Sequence, residues 1–279
     1  MKLSKIVAVA FFVVAGASFA SADEAYDVMK KFSTLDAPDY SQATMNVQNI
    51  EKNGKVENRI MMQWGRKVNG LKSVVFDFRS PANVKDTRVL QAEKNEKDDD
   101  RWIYLPSLKQ PRRIPTGERS KQFVGCEFTY NDMGIRHVDE DTHEMLSANE
   151  TVTIDGNTSG GNYGTATYNC WKIKSTPKKK NAVEYSYRIS WIDKNTYLPV
   201  KMEYYDKKNQ NKLIKTFVIE KIDKVRGVSG KNYNLRRACL IVNEETGRKT
   251  RLFITNEQFD KPLSPGYFTQ NWLQTGKAK

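Results

Sequence analysis

Along most of the chain, apolar and polar residues alternate one by one. Ile60, Met62 and Trp64 recur at every second position, as do Val74, Phe76 and Phe78. The same period of two returns at Tyr185, Tyr187, Ile189 and Trp191, then at Val200, Met202 and Tyr204. Ala238, Leu240 and Val242 continue it, followed by Arg248, Thr250, Leu252 and Ile254. Strict alternation is the mark of strands with one buried face. Turn-forming stretches separate these runs: EKNGK at 51–55, DKNTYLP at 193–199, DKKNQNK at 206–212 and NEETGR at 243–248. Connections that short join neighbouring strands in opposite directions, so the pattern predicts an antiparallel meander. Helical spacing is confined to the start, where Ala25, Val28, Met29 and Phe32 fall on one face. Ser120–Asp132 and the tail after Ser264 are further helical candidates. No composition shift, repeat or linker divides the chain, which predicts a single domain over 23–279.

The first 22 residues stand apart. Lys2 and Lys5 precede an apolar run from Ile6 to Ala15, and Ala20-Ser21-Ala22 supplies small residues for cleavage. This is the pattern of a secretory signal peptide cut near Ala22/Asp23, and the run is too short to span a bilayer. No cysteine follows it, so lipid attachment at a new N-terminus is not indicated. The expectation is an exported protein. Charge then narrows the partners. The chain has 46 Lys+Arg against 33 Asp+Glu. Two of those lysines leave with the leader, so 44 basic against 33 acidic side chains give the mature chain +11. A basic surface favours anionic partners. Export argues against nucleic acid, and no nucleic-acid-binding motif is present. An affinity for anionic membrane surfaces and a merely solvated basic face are the two alternatives that remain.

Candidate chemistry is sparse. Cys126, Cys170 and Cys239 are an odd set, so at most one bridge can form, and Cys170 with Cys239 is the expected pair if one does. His137 and His143, six apart, suit no metal motif and read as exposed residues of a polar loop. Asp98, Asp99 and Asp100 read as a solvated loop rather than a metal site. NTSGGNYG at 157–164 lacks the ending of a phosphate-binding loop. The serines lack a nucleophile elbow. These absences favour a binding protein over an enzyme.

The densest stretch is DDRWIYLPSLKQPRRIPTGERSKQFVGCEFTYNDM at 99–133. It resembles the signature of LolA-like outer membrane lipoprotein-sorting proteins: an Asp-rich start, Trp-x-Tyr-Leu-Pro, Arg-Arg-Ile, then Phe-x-Gly-Ser-Asp-Phe-x-Tyr-x-Asp. Those positions here are Asp99, Asp100, Trp102, Tyr104, Leu105, Pro106, Arg112, Arg113, Ile114, Phe123, Gly125, Phe128, Tyr130 and Asp132. FDFRSPANVKDTRVL at 76–90 is similar to the family's preceding element, with Asp86 where glycine is common. VKMEYYDKKNQNKLIKTF at 200–217 and GYFTQNWL at 266–273 match as well. Cys126 and Glu127 stand where the family usually has Ser-Asp.

The resemblance implies a mainly β fold: a strongly curved antiparallel sheet forming an unclosed barrel, with a few helices plugging the concave face. It implies a periplasmic, non-enzymatic carrier of lipid or lipoprotein acyl chains, working with no cofactor between an inner-membrane transporter and an outer-membrane acceptor. An envelope sensor resembling RseB, or an envelope enzyme on the same scaffold, are the alternatives. Trp102, Tyr104, Leu105, Arg112, Arg113, Phe123, Phe128 and Tyr130 are the candidate ligand-binding residues. Trp102 and Tyr104 share one strand face, and Ile103 and Leu105 the other. The sequence leaves open which face looks into the cavity.

Overall fold

The computed structural model describes residues 16–94, 97–134 and 136–278. The charged start and apolar run of the expected leader lie outside these. A first series of strands comprises β1 (Tyr40–Ile50), β2 (Val56–Val68), β3 (Leu71–Ser80), β4 (Arg88–Lys94), β5 (Lys97–Tyr104) and β6 (Pro111–Arg113). A second comprises β7 (Asp141–Asp155), β8 (Thr165–Pro177), β9 (Tyr187–Asp193), β10 (Pro199–Tyr205), β11 (Leu213–Arg226), β12 (Asn232–Asn243) and β13 (Lys249–Phe259). Each series is an antiparallel meander, as the short turns require. Pairing of β1 with β13 fuses them into one 13-stranded sheet, with β6 at one edge and β7 at the other. The sheet is a strongly curved, unclosed barrel. Among the described residues no helix is long and apolar enough to cross a membrane.

This topology explains the dense stretch. β6 and β7 are consecutive in sequence but lie at opposite edges of the sheet. The chain between them, 114–140, therefore has to travel across one face. It does so as turns rather than as the helix expected over Ser120–Asp132. Val124 and Gly125 both have positive φ (+50° and +75°), and the Cys126 amide donates to the Phe123 carbonyl at 3.0 Å. A turn with two left-handed residues reverses the chain too sharply for a helix to continue. Ile114, Phe123, Cys126 and Phe128 from this crossing segment are buried against Met61, Phe78, Ile103 and Ile241 of the strands. The segment is part of the core.

Alternation assigns the two faces. Met45, Met61, Phe76 and Ile103 look inward to the crossing segment, whereas Trp64, Val75, Leu90 and Trp102 look outward. Helix α1 (Gly16–Ser33) lies on the inner side, burying Ala25, Val28 and Met29 against Ile173 and Ile192 as its spacing predicts. The short α2 (Gln270–Thr275) packs on the outer face, where Trp272 meets Trp64 edge-on at 5.6 Å.

Several local expectations are corrected. Asp99 and Asp100 are strand residues of β5, not a solvated loop: Asp100 pairs with Lys94 (2.5 Å) and Arg113 (3.2 Å), and half-buried Asp99 lies 3.5 Å from Arg101. His143 is buried in β7, with Nδ1 2.9 Å from Ser175 Oγ and Nε2 3.0 Å from the Val138 carbonyl. The sheet's inner face claims it through strict alternation. All three cysteines are buried free thiols in separate strands or turns, so Cys170 and Cys239 do not pair. The Gly-rich 157–164 loop folds over the buried Arg251–Glu220 ion pair (2.7 Å), and the Thr158 and Ser159 carbonyls accept from Arg251 at 2.7 and 3.0 Å. Glycine serves close packing here: a Cβ at Gly161 would lie 2.3 Å from the Gly156 carbonyl oxygen.

Candidate functional site

Between the inner face, α1 and the crossing segment lies a cavity of about 1060 Å³. Cross-strand register builds its floor. Met202 faces Phe217, Cys239 faces Leu252, and Met45 faces Ile254, all on the inner side. All six line the cavity, joined by Phe76 from β3. Met29 and Phe32 of α1 roof one side, and Phe128 and Met133 of the crossing segment close another. The four methionines among these residues, Met29, Met45, Met133 and Met202, matter physically, because an unbranched thioether adapts to a chain-like ligand at little cost.

A polar row tethers the crossing segment. His143, Ser175, Arg188, Tyr204, Lys215 and Asn243 follow one another across six strands in register. Lys215 Nζ donates to Asp132 Oδ2 at 2.9 Å and to Glu184 Oε1 at 2.6 Å. Burial works against the Lys215 ammonium, but Asp132 and Glu184 outweigh it and hold its pKa above the ordinary lysine range. Asn243 Nδ2 donates to Glu127 Oε2 at 2.9 Å, and the Glu127 amide donates to Thr250 Oγ1 at 2.9 Å. Glu127, the departure from the family pattern, is thus an anchor. Cys126 beside it is sealed in the core, and burial pushes its thiol up to about 12. On the other side, Arg59 donates to the Val124 carbonyl. Asp86, in the position where glycine is common, adopts φ +63°, the region glycine enters most readily.

The eight candidate residues from the sequence divide four ways. Trp102 and Tyr104 lie on the outer face, half-buried against the α2 cluster, with the Arg88 guanidinium 5.5 Å from the Tyr104 ring centre. Arg112 pairs with Glu118 at 3.1 Å and Arg113 with Asp100 at 3.2 Å, both at the exposed β6 edge. Phe123 and Tyr130 are core residues whose rings meet edge-on at 5.4 Å, and Leu105 packs against the same core. Of the eight, Phe128 lines the cavity. The strand residues of the floor were visible in sequence only as alternating positions. Nothing in the alternation tells an inner position facing packed protein from one facing open volume.

An unclosed antiparallel barrel wrapped around an apolar cavity is a LolA-like fold. The chain is similar to a DUF1329 family protein from Desulfovibrio piger, with TM-score 0.77 and 24% identity over 91% of this chain and 99% of that one. It is similar to an outer membrane lipoprotein-sorting protein domain from Vibrio parahaemolyticus, with TM-score 0.75 and 24% identity over the same shares. A LolA superfamily protein from Nitrosomonas europaea shares the fold at TM-score 0.61 and 15% identity, over 90% of this chain and 99% of that one. At these identities the likeness is one of fold. The sequence model of a family described as "Uncharacterized protein" matches residues 70–275, and the chain belongs to that family, DUF1329. No curated protein matches the chain.

Proposed function

We propose that this protein is a non-enzymatic periplasmic carrier that shields the acyl chains of a lipid or lipoprotein on their way to the outer membrane. The observation that carries this reading is the cavity itself: about 1060 Å³, floored by Met45, Phe76, Met202, Phe217, Leu252 and Ile254. That volume is at the upper end of the roughly 300–1,000 Å³ of small-molecule sites, and an apolar floor stabilises an alkyl chain without any directed contact. Burying a dozen methylenes is worth on the order of 10 kcal/mol at about 0.8 kcal/mol each. Such affinity needs neither nucleophile nor cofactor. The export pattern at residues 1–22, the basic balance of the mature chain and the fold shared with a lipoprotein-sorting domain support the same role. Delivery then involves an inner-membrane donor and an outer-membrane acceptor, with an anionic membrane surface as the meeting place.

The reading is tested by purifying the mature protein from its native envelope and analysing an organic extract by mass spectrometry. Acyl lipid or acylated peptide in near-stoichiometric amount is the expected result. An extract free of acyl species, from protein that stays folded and monodisperse throughout, contradicts it.

A further inference from the structure

The cavity is not apolar throughout. Ten arginines and lysines but five aspartates and glutamates are among the described residues that line it, so its walls carry a net positive charge. Where β4 and β5 meet the crossing segment, basic and acidic lining residues balance in number, but two of the bases, Arg101 and Arg119, are buried there. Gln91 faces Arg101 across these strands, and Val74 faces Gln91 from β3, so polar and apolar wall are continuous along one row. Arg119 reaches the same place from the crossing segment, donating through Nη2 to the Asp99 carbonyl at 2.7 Å. Arg101 Nη1 donates to the Tyr130 carbonyl at 2.6 Å. Both guanidiniums are more than nine-tenths buried, as is Gln91.

Their partners do not use them up. Gln91 Nε2, Arg101 Nε and Arg119 Nε are buried donors with no hydrogen-bond partner among the described residues. Asp99, 3.5 Å from Arg101, is the acid that faces the pair. The other nearby acids are committed: Glu93 accepts from the Lys72 amide at 2.6 Å, and Glu140 accepts from the His137 amide at 2.7 Å while pairing with Arg136. Burial and the neighbouring Arg119 push the Arg101 guanidinium below its ordinary range, the response of a cation short of counter-charge. Buried charges are ordinarily paired and buried donors ordinarily bonded. Two buried guanidiniums facing one carboxylate leave this stretch of wall with positive charge to balance, and an anion can balance it. An oxyanion is suited to this, because guanidinium and amide N–H groups converge on carboxylate or phosphate oxygens.

We propose that Gln91, Arg101 and Arg119 form a head-group subsite, so that the ligand is an acyl amphiphile with an oxyanion head, its tail running past Val74 and Phe76 onto the methionine floor. This rests on the carrier reading and adds polarity to it: the ligand enters in one orientation, and neutral lipids are discriminated against.

The test uses the full mature protein and three probes of equal chain length: dodecanoate, dodecyl phosphate and dodecanol, with inorganic phosphate alone as a fourth. At low salt, both anionic probes are expected to bind about tenfold or more tighter than the alcohol, the range for hydrogen bonds to a charged group. The preference should shrink as ionic strength rises from about 0.01 to 1 M and the screening length falls from about 30 to 3 Å. Arg119→Gln should reduce the anion-to-alcohol ratio several-fold, and Arg119→Lys should reduce it less. If Arg119→Gln does not fold, the ratio and its salt dependence in the unmodified protein still decide the matter. Equal affinity for all three probes overturns the subsite and leaves the carrier reading standing. Binding of inorganic phosphate as tight as dodecyl phosphate overturns it too, since the tail would then contribute nothing. No binding of any probe overturns both.

Discussion

Phe123→Ala asks whether the crossing segment is core or a removable cover. Phe123 is 1% exposed and its ring meets Phe76 and Tyr130 edge-on, each with centroids 5.4 Å away, and tilts against Phe78 at 6.0 Å. Truncation removes a fully buried ring and opens a void between β3 and the segment. Tethers on either side resist collapse into it: Arg59 holds the Val124 carbonyl, and the Phe123 amide donates to the Phe128 carbonyl at 2.7 Å. Buried Phe→Ala changes with limited relaxation cost about 3–5 kcal/mol, and the edge-on partners place this one in the middle, about 4 kcal/mol. That is a large fraction of a typical stability of roughly 5–15 kcal/mol. It corresponds to a fall in Tm of roughly 8–16 °C for a domain of this size. Urea unfolding followed by tryptophan fluorescence, with calorimetry as a check on Tm, measures it. A loss below about 1 kcal/mol with an unchanged m-value would refute the reasoning, because it would mean that the segment can leave the sheet without exposing core.

Other expectations follow from the same geometry. Met202→Glu places an uncompensated carboxylate on the cavity floor and should abolish acyl binding as read by fluorescent fatty-acid displacement. Trp102→Glu acts on the opposite face, so its cost should be read in the melt of the α2 clasp; equal loss of ligand capture in both variants would contradict the face assignment. The thiols of Cys126, Cys170 and Cys239 are pushed up to about 12 by burial. A thiol reagent at neutral pH should therefore find no reactive cysteine in native protein and three after denaturation; rapid native labelling would count against their burial. Burial lowers the His143 pKa from 6.5, so the neutral imidazole is the folded form. Its contribution to stability is complete above the unfolded-state value near 6.5 and is lost as pH falls below it through the folded value. The slope of stability against pH between about 5 and 7 should flatten in His143→Gln, and an unchanged slope would show that other groups carry it.

How much of this was legible depends on which physical constraint each residue answers to. The β strands were readable because one buried face imposes a period of two, as at Val74, Phe76 and Phe78. The hairpins were readable because EKNGK and NEETGR carry their own turn chemistry. α1 was readable from Ala25, Val28 and Met29, since those residues bury on a single face. The crossing segment was misread as helical because its buried residues, Phe123, Cys126, Phe128 and Tyr130, are placed by the strands they pack on and not by any local period. His143 and Asp99 were misread as loop residues, because their polar side chains sit at inward strand positions satisfied by partners distant in sequence. The family signature pointed to 99–133, and that stretch marks the β5–β6 edge and the plug. The cavity floor comes instead from β1, β3, β10, β11, β12 and β13, brought together by the β1–β13 pairing, which no local pattern announces.

The central claim is that buried methylene area in this cavity captures an acyl chain. A displacement titration of the mature protein across saturated chains of increasing length tests it most directly. Each added CH2 should tighten Kd about fourfold, the equivalent of about 0.8 kcal/mol, until the chain outgrows the cavity and the trend levels off. Affinity that ignores chain length, or no binding by protein that remains folded, would contradict the account.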